Sequence, residues 1–244
     1  MILASAQTKP KRGDLTANLE EHYRLIDLAS QQGADLIVFP EMSITGYERE
    51  KAEDLAFRLN DSRLNRLREL SVDRNIVIIV GAPIKDENNL FIGTFILKPD
   101  NSIFIYTKQF LHEGEKEYFK SSFKYNPMIE LKNEKISLAI CADIDNSKHA
   151  ENAGNVGTTL YIAGIFFSPN GIGNAYEILS GYAKKYSMNI LMSNFGGQSW
   201  GIDSGGQSGF WNKNGKLIAN LNNSDSGLLL IERDNDVWTE KKLK

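Results

Sequence analysis

Three residues, each directly after an apolar run, are of types that together can cleave an acyl bond. Glu41 follows Asp35-Leu36-Ile37-Val38-Phe39-Pro40, Lys108 follows Ser102 to Thr107, and Cys141 follows Lys135 to Ile140. In open α/β sheets the loops beyond the C-terminal strand ends converge on one crevice, so the three side chains can meet there. A free thiol has a pKa of about 8.5, and a neighbouring ammonium favours its thiolate. On that basis Cys141 is expected to react fast with iodoacetamide at neutral pH. A carboxylate alongside can take the thiol proton, pass it to a departing amine, and then activate water against the thioester. The lysine and a backbone N–H can hold the oxyanion. Each residue also has a plain structural reading. Cys141 can be a small buried hydrophobe, Glu41 a carboxylate near the N-cap of the next segment, and Lys108 a solvated strand-end charge. Only the three together demand chemistry.

The elements that must position them alternate in type. Met1 to Ala6 reads as a strand. Leu15, Leu19, Tyr23, Ile26 and Ala29 recur at helical spacing, predicting a helix over about 14–32 with Asp14 as N-cap and Gly33 as its stop. Asp35 to Phe39 and Ile76 to Val80 read as strands buried on both faces, with a second helical stripe at Leu64, Leu67 and Leu70 between them. Short connections of this kind predict parallel pairing through helical crossovers. Leu90 to Leu97 and Ser102 to Thr107 flank the turn Pro99-Asp100-Asn101 and predict an antiparallel hairpin. Lys135 to Ile140, Thr158 to Ala163 and Asn189 to Ser193 read as strands. Tyr176, Leu179, Ala183 and Tyr186 mark a helix that Asn174 could cap. Gly206 to Trp211, Lys216 to Leu221 and Gly227 to Ile231 read as short late strands, with Asn214-Gly215 as a hairpin turn between the first two. Glu240 to Lys244 reads as a solvated polar tail.

Composition excludes several classes. The chain has 244 residues and a net charge of −3, so it carries no basic excess for nucleic acid or an anionic membrane. Its 41% hydrophobic and 24% charged residues are those of a soluble globular protein. No linker, repeat or low-complexity tract divides it, and one α/β domain over residues 1–244 is expected. With one cysteine and three scattered histidines, neither an intramolecular disulfide nor a thiolate or histidine metal cluster can be built. The N-terminus lacks a secretory leader and Leu160 to Phe167 is too short to cross a bilayer, so a cytosolic location is expected.

The motifs around the three residues are similar to those of the nitrilase superfamily of carbon–nitrogen hydrolases, over nearly the whole chain. Gly33 to Glu41 followed by Thr45-Gly46-Tyr47 resembles its glutamate motif, Tyr106 to His112 its lysine motif, and Ile140-Cys141-Ala142-Asp143 its cysteine motif. The resemblance implies a four-layer α-β-β-α sandwich, usually a homodimer or larger, with no metal or organic cofactor. It implies Glu41 as general base and acid, Lys108 with the Ala142 N–H as oxyanion donors, and Cys141 as nucleophile. It also implies a second site glutamate, for which Glu113, Glu115 and Glu117 compete. Glu115 is taken because it lies a few residues before Tyr118-Phe119. Tyr47, Asp143 and Asn194 are candidate substrate contacts. The substrate implied is a small amide or N-carbamoyl compound.

The segment Ala142-Asp143-Ile144-Asp145-Asn146-Ser147 departs from the aromatic, Arg and Phe-Pro-Glu residues of many members, so no arginine stands there to clamp a substrate carboxylate. Asn194 could equally satisfy backbone groups in its Gly-rich turn. Three other readings compete. Asp143 and Asp145 could serve a magnesium-dependent phosphatase. His112 or His149 could pair with Cys141 in a Cys-His hydrolase. The scaffold could also be a non-catalytic binding module.

Overall fold

The layering follows from the two-residue period of the strands. The computed structural model describes residues 1–242. Its first half runs β1 (Ile2–Gln7), α1 (Leu15–Gln31), β2 (Leu36–Val38), α2 (Ala52–Leu55), α3 (Asn65–Asp73), β3 (Val77–Asp86), β4 (Asn89–Leu97) and β5 (Ile103–Thr107). One face of these strands, with Leu3, Leu36, Val38, Val77 and Ile79, belongs to the larger core. The other, with Ala4, Ala6, Ile37, Ile78 and Val80, packs with Leu25, Ile26 and Ala29 of α1 and Leu67 and Leu70 of α3. Asp14 accepts the Ala17 N–H at 3.0 Å and so starts α1 as expected.

The second half runs β6 (Ile129–Leu131), β7 (Glu134–Ile140), α4 (Ser147–Asn155), β8 (Leu160–Gly164), α5 (Ile172–Tyr186), β9 (Asn189–Ser193), β10 (Gln198–Ser199), β11 (Ile202–Asp203), β12 (Gly209–Trp211), β13 (Leu217–Asn220), β14 (Gly227–Asp234) and β15 (Val237–Glu240). Two sheets result, a seven-stranded one ordered β15-β14-β1-β2-β3-β4-β5 and a six-stranded one ordered β13-β12-β9-β8-β7-β6. β1, β2 and β3 are parallel, as are β7, β8 and β9. The larger core holds residues of both sheets together with Ala150 and Ala153 of α4 and Ala175, Leu179 and Ala183 of α5. The stack is therefore helices, sheet, sheet, helices. No helix among the described residues is long and apolar enough to cross a membrane.

Small residues bring the sheets together. Ser5 Oγ of β1 donates to the Met192 carbonyl at 2.8 Å, and Ser193 Oγ of β9 donates to the Ala6 carbonyl at 2.5 Å. Gly164, the last residue of β8, pairs in register with Ile140, the last residue of β7. A Cβ at Gly164 would stand 3.0 Å from the Phe39 carbonyl and 3.5 Å from Glu41 N. The missing side chain is what lets the end of β8 approach the segment after β2.

Some expectations need correction. Asn174 does not cap α5: the N-cap position is Gly171, and Asn174 lies inside the first turn. The strand expected from Gly206 starts at Gly209, because Gly206 and Gln207 both adopt positive φ. The tail expected from Glu240 does not begin there. Glu240 ends β15, whose Trp238 is buried, and Lys241 N donates to the Leu230 carbonyl at 2.9 Å. Residues 243–244 of that expected tail lie outside the described residues.

Gly164→Val is expected to force the two strand ends apart, lowering stability by about 1–3 kcal/mol and activity with it. Urea melts that superimpose on wild type would show that the close approach is not needed.

Candidate active site

Glu41 is carried on a loop fixed from two sides. Phe39 N donates to Ile79 O at 2.9 Å and Ile44 N to Gly81 O at 3.0 Å. A Cβ at Gly81 would lie 2.6 Å from the Pro40 carbonyl, so glycine is needed for the loop to fold across β3. From α1, Asn18 Nδ2 donates to Ile44 O at 2.9 Å and His22 Nε2 lies 2.9 Å from Ser43 Oγ. Burial pushes His22 down to about 4, so it stays neutral there.

Lys108 comes from the edge strand β5. Two antiparallel reversals, β3 to β4 and β4 to β5, restore the direction of β2, so β5 ends on the same side. Cys141 comes from the opposite sheet and opens a 3-10 turn, Cys141–Asp143, with φ of +43°. L-residues seldom adopt this left-handed conformation, and it aims the side chain off the strand end.

The three converge. Lys108 Nζ donates to Glu41 Oε1 and to Glu115 Oε1, each at 2.7 Å, and all three side chains are fully buried. Glu115 Oε1 also accepts from the Tyr47 hydroxyl at 2.7 Å, and Oε2 from His112 N at 2.8 Å. Glu113 and Glu117 are exposed. Cys141 is buried, with Sγ 3.7 Å from the Phe166 carbonyl and 3.9 Å from His112 Nε2. Glu41 Oε2 is buried with no hydrogen-bond partner.

Two carboxylates share one ammonium, and the electrostatics follow from that shortage. Burial opposes the charge on Lys108, but Glu41, Cys141 and Glu115 outweigh it and hold the amine protonated above its ordinary range. Burial also works against ionised Glu115, yet Lys108, Tyr47 and the His112 N–H hold it below its usual value. Glu41 is left with less. Burial and the Glu115 charge push it up to about 7 against the pull of Lys108. Burial and then the Glu41 charge push the Cys141 thiol well above its ordinary value. This differs from the expectation of a lysine-stabilised thiolate: the ammonium is spent on the carboxylates, and the thiol keeps its proton until a base removes it.

Asp143 and Asn194 turn inward. Asp143 Oδ1 accepts from Gln109 N and Phe110 N, both at 2.9 Å, and Oδ2 from Ile140 N at 2.9 Å and the Tyr106 hydroxyl at 2.6 Å. One carboxylate thus clamps the cysteine turn to the lysine loop. Asn194 Oδ1 accepts from Phe195 N at 2.9 Å and Phe167 N at 3.1 Å, while Nδ2 donates to Gly206 O at 2.9 Å. It shapes the segment that presents the Phe166 carbonyl. Asp145 is exposed, outside this cluster. A phosphatase would need Asp143 free to attack, and four donors already occupy it.

Behind Asp143 lies a buried polar chain that no motif in the sequence announces. His149 Nδ1 lies 2.7 Å from the Tyr161 hydroxyl and Nε2 lies 2.8 Å from the Tyr106 hydroxyl, which itself donates to Asp143. With both ring nitrogens taken, His149 is no base for Cys141. Burial lowers its pKa, which matches a neutral ring donating through Nε2 and accepting at Nδ1. Tyr106 could have been found, because two-residue spacing puts it on the face of Lys108.

A buried acid and amine of one sheet thus stand at strand ends that face the buried thiol of the other. The carbon-nitrogen hydrolase family model matches residues 2–242, and the chain belongs to that family. The glutamine-dependent NAD(+) synthetase of Thermotoga maritima is 27% identical over 82% of this chain and 36% of its own length. The protein N-terminal amidase of Schizosaccharomyces pombe is 29% identical over 59% of this chain and 56% of its own. The nitrilase of Pyrococcus abyssi is 28% identical over 58% and 55%. The chain thus spans between about a third and just over half of these relatives. A mutant of the amidase from Nesterenkonia sp. AN1, with its cysteine changed to alanine and in complex with butyramide, superimposes with a TM-score of 0.87 at 22% identity, covering 97% of this chain and 92% of that one. That likeness establishes the shared fold, the four-layer sandwich.

A base that must be ionised gives a definite pH dependence. With Glu41 near 7, kcat/KM is expected to fall as pH drops through that value, because protonated Glu41 cannot accept the thiol proton. Alkylation of Cys141, the only cysteine, should follow the same curve. An iodoacetamide rate that instead rises only through the free-thiol range would remove Glu41 from the role of base.

Proposed function

We propose that the chain hydrolyses a small carboxamide or N-carbamoyl compound through a thioester on Cys141. The observation that carries this reading is Oε2 of Glu41, a buried acceptor with no hydrogen-bond partner on a carboxylate close enough to the Cys141 thiol for each to shift the other. Glu41 takes the Sγ proton as sulfur adds to the amide carbon. The oxyanion that forms accepts from Lys108 and from the Ala142 N–H, which belongs to the opening of a 3-10 turn where N–H groups lack a partner within the turn. Glu41 then gives its proton to the nitrogen, the C–N bond breaks, and ammonia or an amine leaves. Water enters, Glu41 removes its proton, and hydroxide adds to the thioester. The acid is released and the proton returns to sulfur, closing the cycle.

Glu115 keeps Lys108 in place and neutralises part of its charge. Asp143 and Asn194, first considered as substrate contacts, are read instead as positioning residues, since their polar atoms are bound within the protein. Tyr47 orients Glu115 through its hydroxyl. A homodimer packed helix face to helix face belongs to the same reading, and sedimentation would report it. The relatives named for amidase and nitrilase activity, and the butyramide held by the Nesterenkonia amidase mutant, support carboxamides as the first compounds to try.

Incubation with butyramide is expected to place an acyl group on Cys141, seen by mass spectrometry, and to release ammonia. Cys141→Ala should abolish turnover with the fold intact. Glu41→Gln and Lys108→Ala should each cost about 3–4 kcal/mol of barrier, as for other single acid–base or oxyanion groups. A Lys108→Ala protein that keeps most of its rate would overturn the role given to the lysine.

A further inference from the structure

His112 is the group beside the reacting sulfur that the proposed cycle leaves idle. Its Nε2 lies 3.9 Å from Cys141 Sγ. Its backbone N–H donates to Glu115 Oε2 at 2.8 Å, so the carboxylate that holds Lys108 also holds this residue beside the thiol. Among the described residues no oxygen or nitrogen hydrogen-bonds to the imidazole, and the thiol is its one such contact. His112 is exposed, whereas Glu41, Lys108 and Glu115 are buried. Acid and amine therefore reach the sulfur from the interior, and an imidazole reaches it from the solvent side.

We infer that His112 reads the first carbon of the acyl chain, so that the preferred substrate is an amide with a hydroxyl on the carbon next to the carbonyl. This rests on the carboxamide reading above. The four groups on the tetrahedral carbon sort themselves by their surroundings. Sulfur is one. The oxyanion accepts from Lys108 and the Ala142 N–H, and the nitrogen must stay within reach of Glu41 to receive its proton. The acyl chain is left, and it runs out on the side of Sγ that His112 occupies. Its first carbon is two bonds from Sγ, which brings a group on that carbon within hydrogen-bond reach of Nε2. An imidazole nitrogen donates or accepts according to its tautomer and charge, and a hydroxyl can answer either. An alkyl group answers neither and covers a ring nitrogen that would otherwise be hydrated, which costs binding. A neutral polar group also suits the site better than an anion, because Glu41 and Glu115 together face the single charge of Lys108. Glu41 keeps the role of base, and His112 selects what the base acts on.

The test compares kcat/KM for glycolamide and propionamide, which differ by a hydroxyl in place of a methyl, in wild type, His112→Phe and His112→Gln. The ratio of glycolamide to propionamide is expected to fall roughly three- to tenfold in His112→Phe, the range for one hydrogen bond, and less in His112→Gln, whose amide keeps a donor and an acceptor. The hydroxyl makes the amide carbon more electrophilic in every variant alike, so the shift in the ratio carries the test. Both substitutions leave the backbone N–H that binds Glu115, and propionamide turnover reports in each whether the site still assembles. Equal losses on the two amides would make His112 a base or a support for the thiol and overturn the inference. A ratio that His112→Phe leaves unchanged overturns it too, while wild-type cleavage of propionamide keeps the proposed function standing. An enzyme that cleaves neither amide and forms no adduct on Cys141 fails both.

Discussion

Two buried carboxylates answer to one ammonium, and most of the site follows from that imbalance. An isolated charge in the interior is costly unless it is paired and hydrogen-bonded. Glu115 is paired fully, with Lys108, Tyr47 and the His112 N–H sharing its two oxygens. Glu41 has only one oxygen engaged. The difference sets their protonation apart, one held firmly ionised and the other poised near neutrality, although both are glutamates and both touch the same nitrogen. One environment thus gives two like side chains different protonation.

Holding that arrangement is a task for the backbone. Glu41 and Lys108 end strands of one sheet and Cys141 a strand of the other, so the chemistry spans the seam between the layers. Residues without bulk, Ser5, Ala6, Ser193 and Gly164, bring that seam close. Asp143 then ties the cysteine turn to the lysine loop through three backbone N–H groups and a phenol. Behind it, Tyr106, His149 and Tyr161 continue the hydrogen bonding into the core, so the carboxylate has no freedom to turn outward.

Much of this was legible from the residues. The apolar runs ended at the functional residues, the stripe from Leu15 to Ala29 marked α1, and Asn214-Gly215 marked the β12–β13 turn. Glu115, the acid that lies ahead of the aromatic pair Tyr118-Phe119, is the one of the three that meets Lys108. What stayed hidden has a common cause. The partners of Asp143 and Asn194 are mostly backbone groups, which every residue has and no sequence advertises. Strands buried on both faces look alike, so their division between two sheets is not written in their composition. Asn174 lost the capping position because the helix begins earlier, at a glycine with no side chain to signal it.

The left-handed backbone at Cys141 has a consequence for how this protein trades durability against work. A residue with a Cβ in that conformation sits about 1–2 kcal/mol above its relaxed state. Glycine would bear the same turn at no such penalty, and β-branched residues would bear it worst. Selection for robustness alone would therefore erode the nucleophile. Its presence at this bend means the chain tolerates a weak point in its scaffold so that one sulfur stays aimed.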